Sequence, residues 1–275
     1  MKFRSLALLP LVFAAAFSIA ATAVAGGSAS LAAVLIAENE TGKTIAAIGC
    51  IVAAVAFERG DYLRRAWLCS GLCYAVLLAS DAAGMPVVGA HVGGHVVDGA
   101  QGALAVLANA ASVVGTWMLA RAWTVSGLEE EDEGEGGPTR ARRRLLFAGA
   151  ALLAVVITGW PLVHDVRLLA GGDVGATVSI ASDLGDTICL ALVAPVMLTA
   201  LAMRGGVLRW PWGFLAASGL AWVLYDAGSG LIEALNANGA GTLVASEAIR
   251  ALACAFFLSA GLAQRRVVTQ AAAEV

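Results

Sequence analysis

Charge is what this chain has least of. Only 13% of its 275 residues are Asp, Glu, Lys or Arg, about half of what a water-soluble domain carries. Lysine nearly vanishes, with Lys2 and Lys43 standing against fifteen arginines. There are three histidines and six prolines. With 60% apolar residues and a mean hydropathy of +0.83, the composition excludes a soluble fold and implies repeated membrane spans. The apolar segments as read here hold no lysine suited to a retinal Schiff base. The basic residues stand beside apolar segments, where they set topology and meet anionic lipid. Nucleic acid is not an expected partner; the lipid bilayer is.

Other absences narrow the chemistry. No Gly-rich phosphate cradle, no HExxH and no Ser-His-Asp context occurs. No extramembrane segment is long enough to be a catalytic domain. The reading is therefore non-enzymatic, with no cofactor. The five cysteines, Cys50, Cys69, Cys73, Cys189 and Cys254, all fall in apolar segments. An odd, buried set reads as packing rather than as a disulfide framework.

What is present is a repeat. Arg59–Asp81 and Arg204–Asp226 align without a gap at an offset of 145 residues. The matches include Arg59/Arg204, Gly60/Gly205, Leu63/Leu208, Arg64/Arg209, Trp67/Trp212 and Asp81/Asp226. In a chain rich in Ala and Leu, chance identities would be Ala and Leu, so these indicate an internal duplication.

The expected fold is an all-α, polytopic membrane bundle of eight transmembrane helices, as two parallel four-helix repeats. Residues 1–124 form the first repeat, 125–144 a charged cytoplasmic linker, 145–266 the second repeat and 267–275 a cytoplasmic tail. In the first half, helices are expected over 1–26, from the polar patch Glu38–Lys43 to about Phe57, from the ERGDYLRR turn to Asp81, and over 102–123. In the second they are expected near 145–163, 184–203, 210–230 and 244–264. Residues 1–26 read in two ways, as a retained first helix or as a secretory signal cleaved after Ala23-Val24-Ala25. The acidic and glycine-rich run before RARRR cannot bury apolar surface and is a solvated linker.

Charge placement orients the bundle. With the N-terminus inside, fourteen basic residues fall on one side, among them Arg4, Arg64, Arg121, Arg144, Arg209 and Arg266. Only Lys43, Arg167 and Arg250 fall on the other. The positive-inside rule then puts both termini in the cytoplasm of a cell inner membrane.

Candidate functional residues gather on the opposite, outer side. Asp81 and Asp226 lie seventeen residues after Arg64 and Arg209, about 25 Å of helix. Each either caps a loop or faces a polar pocket. Asp183 and Asp186 open the sixth helix. Glu247 and Arg250 lie one turn apart in the eighth, with Asp98 and Gln101 as their counterparts in the fourth. Asp81, Asp226, Asp186, Glu247 and Arg250 thus form the candidate ligand-binding set, around an outward-facing polar vestibule. His91, His95 and Asp98, in HVGGHVVD, would share a helix face and are weak metal candidates. Gly93 and Gly94 oppose a stable helix there, so no metal is assigned.

SDLGDTICLALVAPVMLTALAMRGG followed by RWPWGFLAASGLAWVLYD resembles the multi-pass sensory regions that precede diguanylate-cyclase or histidine-kinase domains in bacteria. The residues that carry the resemblance are Leu184, Gly185, Asp186, Arg209, Trp212 and Asp226, over the last third of the chain. It implies a sensory role. No output domain follows before Val275, so signalling is expected through a membrane or cytoplasmic partner. The leading expectation is a sensory or partner-regulating membrane protein. The alternatives are a small-solute or ion transporter using the repeated aspartates and, more weakly, a membrane enzyme using the histidines. A topology reporter fused after Gly136 is expected to read cytoplasmic and one after Asn238 periplasmic; the reverse would overturn the span order.

Overall fold

Each long apolar run becomes a helix because, away from water, a segment has to satisfy its backbone polar groups internally. The computed structural model describes residues 3–85, 94–122, 140–173, 175–202, 206–235 and 239–273. Its eight helices are α1 (Phe3–Ala23), α2 (Ser28–Ala54), α3 (Tyr62–Ala83), α4 (Gly94–Ala120), α5 (Arg140–Ala170), α6 (Ala176–Ala202), α7 (Arg209–Ala234) and α8 (Ala240–Ala273). The described residues contain no strand. His91, Arg204, Gly136 and Asn238 lie outside the described residues. The basic run Arg140–Arg144 falls in the opening turns of α5.

Seven of the eight helices are long and apolar enough to cross a membrane. The exception is α2, and it corrects the expected boundary. The polar patch Glu38–Lys43 does not precede the helix; it lies inside it. The chain breaks instead at residues 24–27, where Gly26 and Gly27 stand before Ser28. Charge outweighed backbone conformation in the sequence reading, whereas no proline interrupts residues 28–54 and the glycine pair is the stronger breaker.

The ERGDYLRR turn forms as expected. Gly60 adopts φ 107°, a region open to glycine, and the Glu58 amide donates to Asp61 Oδ2 at 3.0 Å. The chain therefore reverses within a few residues and enters α3.

Six helices close into a ring. Going round it, α2 packs on α3, α3 on α4, α4 on α6, α6 on α7, α7 on α8, and α8 on α2. Exchanging the two halves of the chain maps these contacts onto one another. The first helix of each half departs from that pattern: α1 rests mainly on α8, α5 mainly on α6. The ends are fixed by aromatic and polar contacts. Phe3 of α1 stacks on Trp210 of α7 at 5.8 Å, Arg266 of α8 lies over Phe3, and the Tyr62 hydroxyl donates to the Met118 carbonyl at 3.0 Å. The N-termini of α1, α3 and α7 thus share one end of the bundle with the C-terminal parts of α4 and α8. This end carries a cluster of arginines, among them Arg4, Arg64, Arg121, Arg209 and Arg266.

The core nearest that end is apolar. Trp67, Trp212, Phe214, Ala260 and Ala263 are buried, and Phe257 meets Trp67 and Tyr74 edge-on at 5.8 and 5.5 Å. Buried hydroxyls there are taken up by backbone carbonyls: Ser218 donates to Ala253 and Ser259 to Leu6. By contrast α5 turns Leu145, Val156 and Trp160 outward, an apolar surface suited to lipid.

The closest approach is between α2 and α8. These helices run parallel and in register at an offset of 212 residues, since Glu38 meets Arg250, Gly42 meets Cys254, and Gly49 meets Gly261. Gly42, Ala46, Gly49 and Ala53 form a buried small-residue stripe, which lets two backbones touch in a membrane. A Cβ on Gly49 would lie 2.6 Å from the Leu258 Cα, and one on Gly261 would collide with the Gly49 carbonyl. Backbone cannot yield as a flexible side chain would. Gly261→Ala is expected to lower unfolding stability in detergent by at least ~1–3 kcal/mol, the cost of overpacking. Gly149→Ala, inside α5 where a Cβ meets open space, should not lower the unfolding midpoint and is expected to raise it slightly.

Candidate functional site

The charged side chains inside the bundle collect at the end opposite the arginines. Glu38 of α2 is 1% exposed, and its Oε2 accepts from Arg250 Nη2 of α8 at 3.4 Å. Arg250 also pairs with Glu247 one turn earlier, and its guanidinium lies 5.7 Å from the Tyr225 ring of α7. One cation thus joins three helices. Next to it, Lys43 of α2 pairs with Asp81 of α3 and sits 3.5 Å from Glu40. A charge in such a place is held by its partners, because isolating it would cost several kcal/mol.

Lys43 corrects a further expectation. A lysine does lie within a helix, though that helix, α2, is not one of the seven apolar enough to cross a membrane. Lys43 is instead committed to two carboxylates at one end of the bundle.

A second acidic group stands on the other side of the ring. Asp186 of α6 is the charged neighbour of Asp226 of α7, and Asp183 lies one turn before Asp186. The Thr187 hydroxyl donates to the Asp183 carbonyl at 2.7 Å and shares a 2.6 Å contact with Thr158 of α5. Asp183 Oδ2 has no hydrogen-bond partner. Asp226 is half-buried and Asp186 is exposed.

Of the candidate residues, the fold brings together Asp186 with Asp226, and Glu247 with Arg250. It does not bring Asp81 to Asp226. Asp81 is engaged by Lys43, so the repeated aspartates serve different neighbourhoods. Gln101 donates to the Ser80 carbonyl at 3.3 Å and holds α4 to α3, whereas Asp98 is exposed. His95 falls in α4, which begins at Gly94; Gly93 lies outside the described residues. His91 lies outside the described residues. Among the described residues no three His, Cys, Asp or Glu side chains converge as metal ligands would. The sequence reading missed Glu38, Lys43 and Tyr225. An uninterrupted helix from Ser28 would have revealed the first two.

The chain matches no family model, no curated protein and no solved structure. The polar end therefore rests on its own geometry.

Removing one member of the buried pair should cost more than removing both. Arg250→Ala leaves Glu38 buried without its cation, and the expected loss is about 3–5 kcal/mol of unfolding stability. Glu38→Gln combined with Arg250→Ala should lose less than Arg250→Ala alone, as a coupled pair requires. Additive losses in a detergent unfolding series would separate the two residues. Asp81→Asn, at a side chain 39% exposed, is expected to cost under about 1 kcal/mol.

Proposed function

We propose that this protein is a non-enzymatic, sensory or partner-regulating membrane protein whose ligand enters at the polar end of the bundle. One observation carries the reading: the charged side chains inside the ring lie at one end, and an apolar aromatic core closes the other. A site open to one side suits reception of a ligand. It suits passage poorly, because a translocated polar solute needs partners along its whole route. The Asp186/Asp226 pair, with no cation beside it among the described residues, is the part of this end that would take a small cationic group.

The resemblance to bacterial sensory regions supports the same reading through Leu184, Gly185, Asp186, Arg209, Trp212 and Asp226. In this reading the six ring helices are the product of a duplication, the polar end faces the periplasm, and the arginine end faces the cytoplasm of an inner-membrane protein. A signal would leave there, near Trp210 and Trp212. Transport remains the competing reading, favoured by Pro195 within α6, a residue that suits a helix able to bend.

Proteoliposomes separate the two. A panel of small organic amines added at the polar face is expected to shift tryptophan fluorescence or spin-label mobility at the arginine end, without solute accumulating inside. Asp226→Asn should weaken that response about tenfold or more. Concentrative uptake lost in Asp226→Asn would replace sensing by transport.

A further inference from the structure

Outside the ring, α1, α2 and α8 enclose a small cavity of about 10 Å³, lined by Phe17, Ser18, Val34, Glu38, Glu247 and Ala248 among others. That is the room for one water-sized species. Its polar lining has one chemical character. Ser18 Oγ already donates to the Ala14 carbonyl at 2.8 Å, so only its lone pairs remain. Carboxylates of Glu38 and Glu247 are acceptors when ionised. The side chain of Glu38 is 2% exposed, and its Oε1 is buried with no hydrogen-bond partner. An occupant must therefore bring positive charge or donors.

Charge bookkeeping points the same way. Glu38 and Glu247 both form their ion pairs with one cation, Arg250, while Lys43 acts on Glu38 from farther off. Lys43, the other cation on α2, is taken by Asp81 of α3 and by Glu40. Phe17, Ser18 and Ala21, the α1 residues in the wall, bring no charge. With both carboxylates ionised, this group keeps a net negative charge in an apolar setting, which either a proton or a bound cation relieves. Hard oxygen ligands suit a hard cation, and one residual charge suits a monovalent one.

We propose that this cavity is a binding site for a monovalent cation of sodium size, held by Glu38 and Glu247 with the Ser18 hydroxyl, and joining α1 to the α2–α8 seam. The site lies on the far side of α2 and α8 from Asp186 and Asp226, so it does not depend on the sensory reading.

The test uses the full chain in detergent or nanodiscs, titrated with sodium chloride against potassium and choline chloride at constant ionic strength. Sodium is expected to raise the thermal unfolding midpoint saturably, with binding heat in calorimetry, and the other two salts to do neither. Glu38→Gln should remove the sodium response. Ser18→Ala, a milder change, should raise the half-saturating concentration about tenfold, the worth of one good ligand contact. Equal responses to all three salts would reduce the effect to ionic strength. No binding heat would leave the cavity to water. A sodium response intact in Glu38→Gln would place the ion elsewhere. Should Glu38→Gln not fold, an unchanged half-saturation in Ser18→Ala overturns the proposal by itself. None of these outcomes bears on the ligand response at Asp226.

Discussion

The structure depends on one seam, the parallel contact of α2 with α8. At one level Gly49 and Gly261 bring two backbones into contact; farther along, Glu38 and Arg250 form a buried pair. The two requirements reinforce each other. Small residues set a separation short enough for the carboxylate and guanidinium to meet, and the pair fixes which registers of the stripe are acceptable. A slip by one turn would leave Glu38 buried against an apolar wall, at a cost of several kcal/mol. The seam also joins the first half of the chain to the second. The α4–α6 contact makes the other such joint on the ring, where Gly102 approaches Val178 and Gly185 approaches Asn109.

The division of the bundle into a charged end and an apolar end follows from this arrangement. Helices α2 and α8 enter the ring side by side from the same end, and α8 carries its only acidic residue, Glu247, with Arg250 near that end. Because they start together, Glu38, Lys43, Glu247 and Arg250 come to one level, and α3 arrives there with Asp81 at its end. Beyond that level the same two helices offer mainly Ala, Cys, Gly and Phe until Arg265 and Arg266 near the end of α8. Acidic side chains and their partners are thereby gathered at one end of the bundle by helix direction.

Much of the architecture was legible in the sequence. Run length and scarcity of charge located the helices, and the Arg-Asp spacing of the repeated segment matched α3 and α7. The boundary of α2 was not legible, because a cluster of Glu38, Glu40 and Lys43 reads as a loop in any scheme that weighs charge locally. Its charges are tolerated through partners far along the chain, Asp81 and Arg250, which a local reading cannot supply. The same cause explains the site. Glu247 and Arg250 were visible as a pair one turn apart, but the third member, Glu38, is 212 residues away. Asp81 and Asp226 looked equivalent because their segments align; their surroundings differ, since Lys43 reaches only the first of them.

The length of that separation bears on how the protein is made. The helix least able to enter a bilayer unaided is the second to be synthesised, while the arginine that neutralises Glu38 belongs to the last. During synthesis α2 has Lys43 and, soon afterwards, Asp81, so its early partner is α3. Glu38 has none until α8 arrives. A half-made chain therefore lacks the ion-pair partner of Glu38 throughout the insertion of α3 to α7, and closure of the ring and formation of that pair are a single event. Quality control that recognises exposed charge within the membrane would read every truncated product as unfinished.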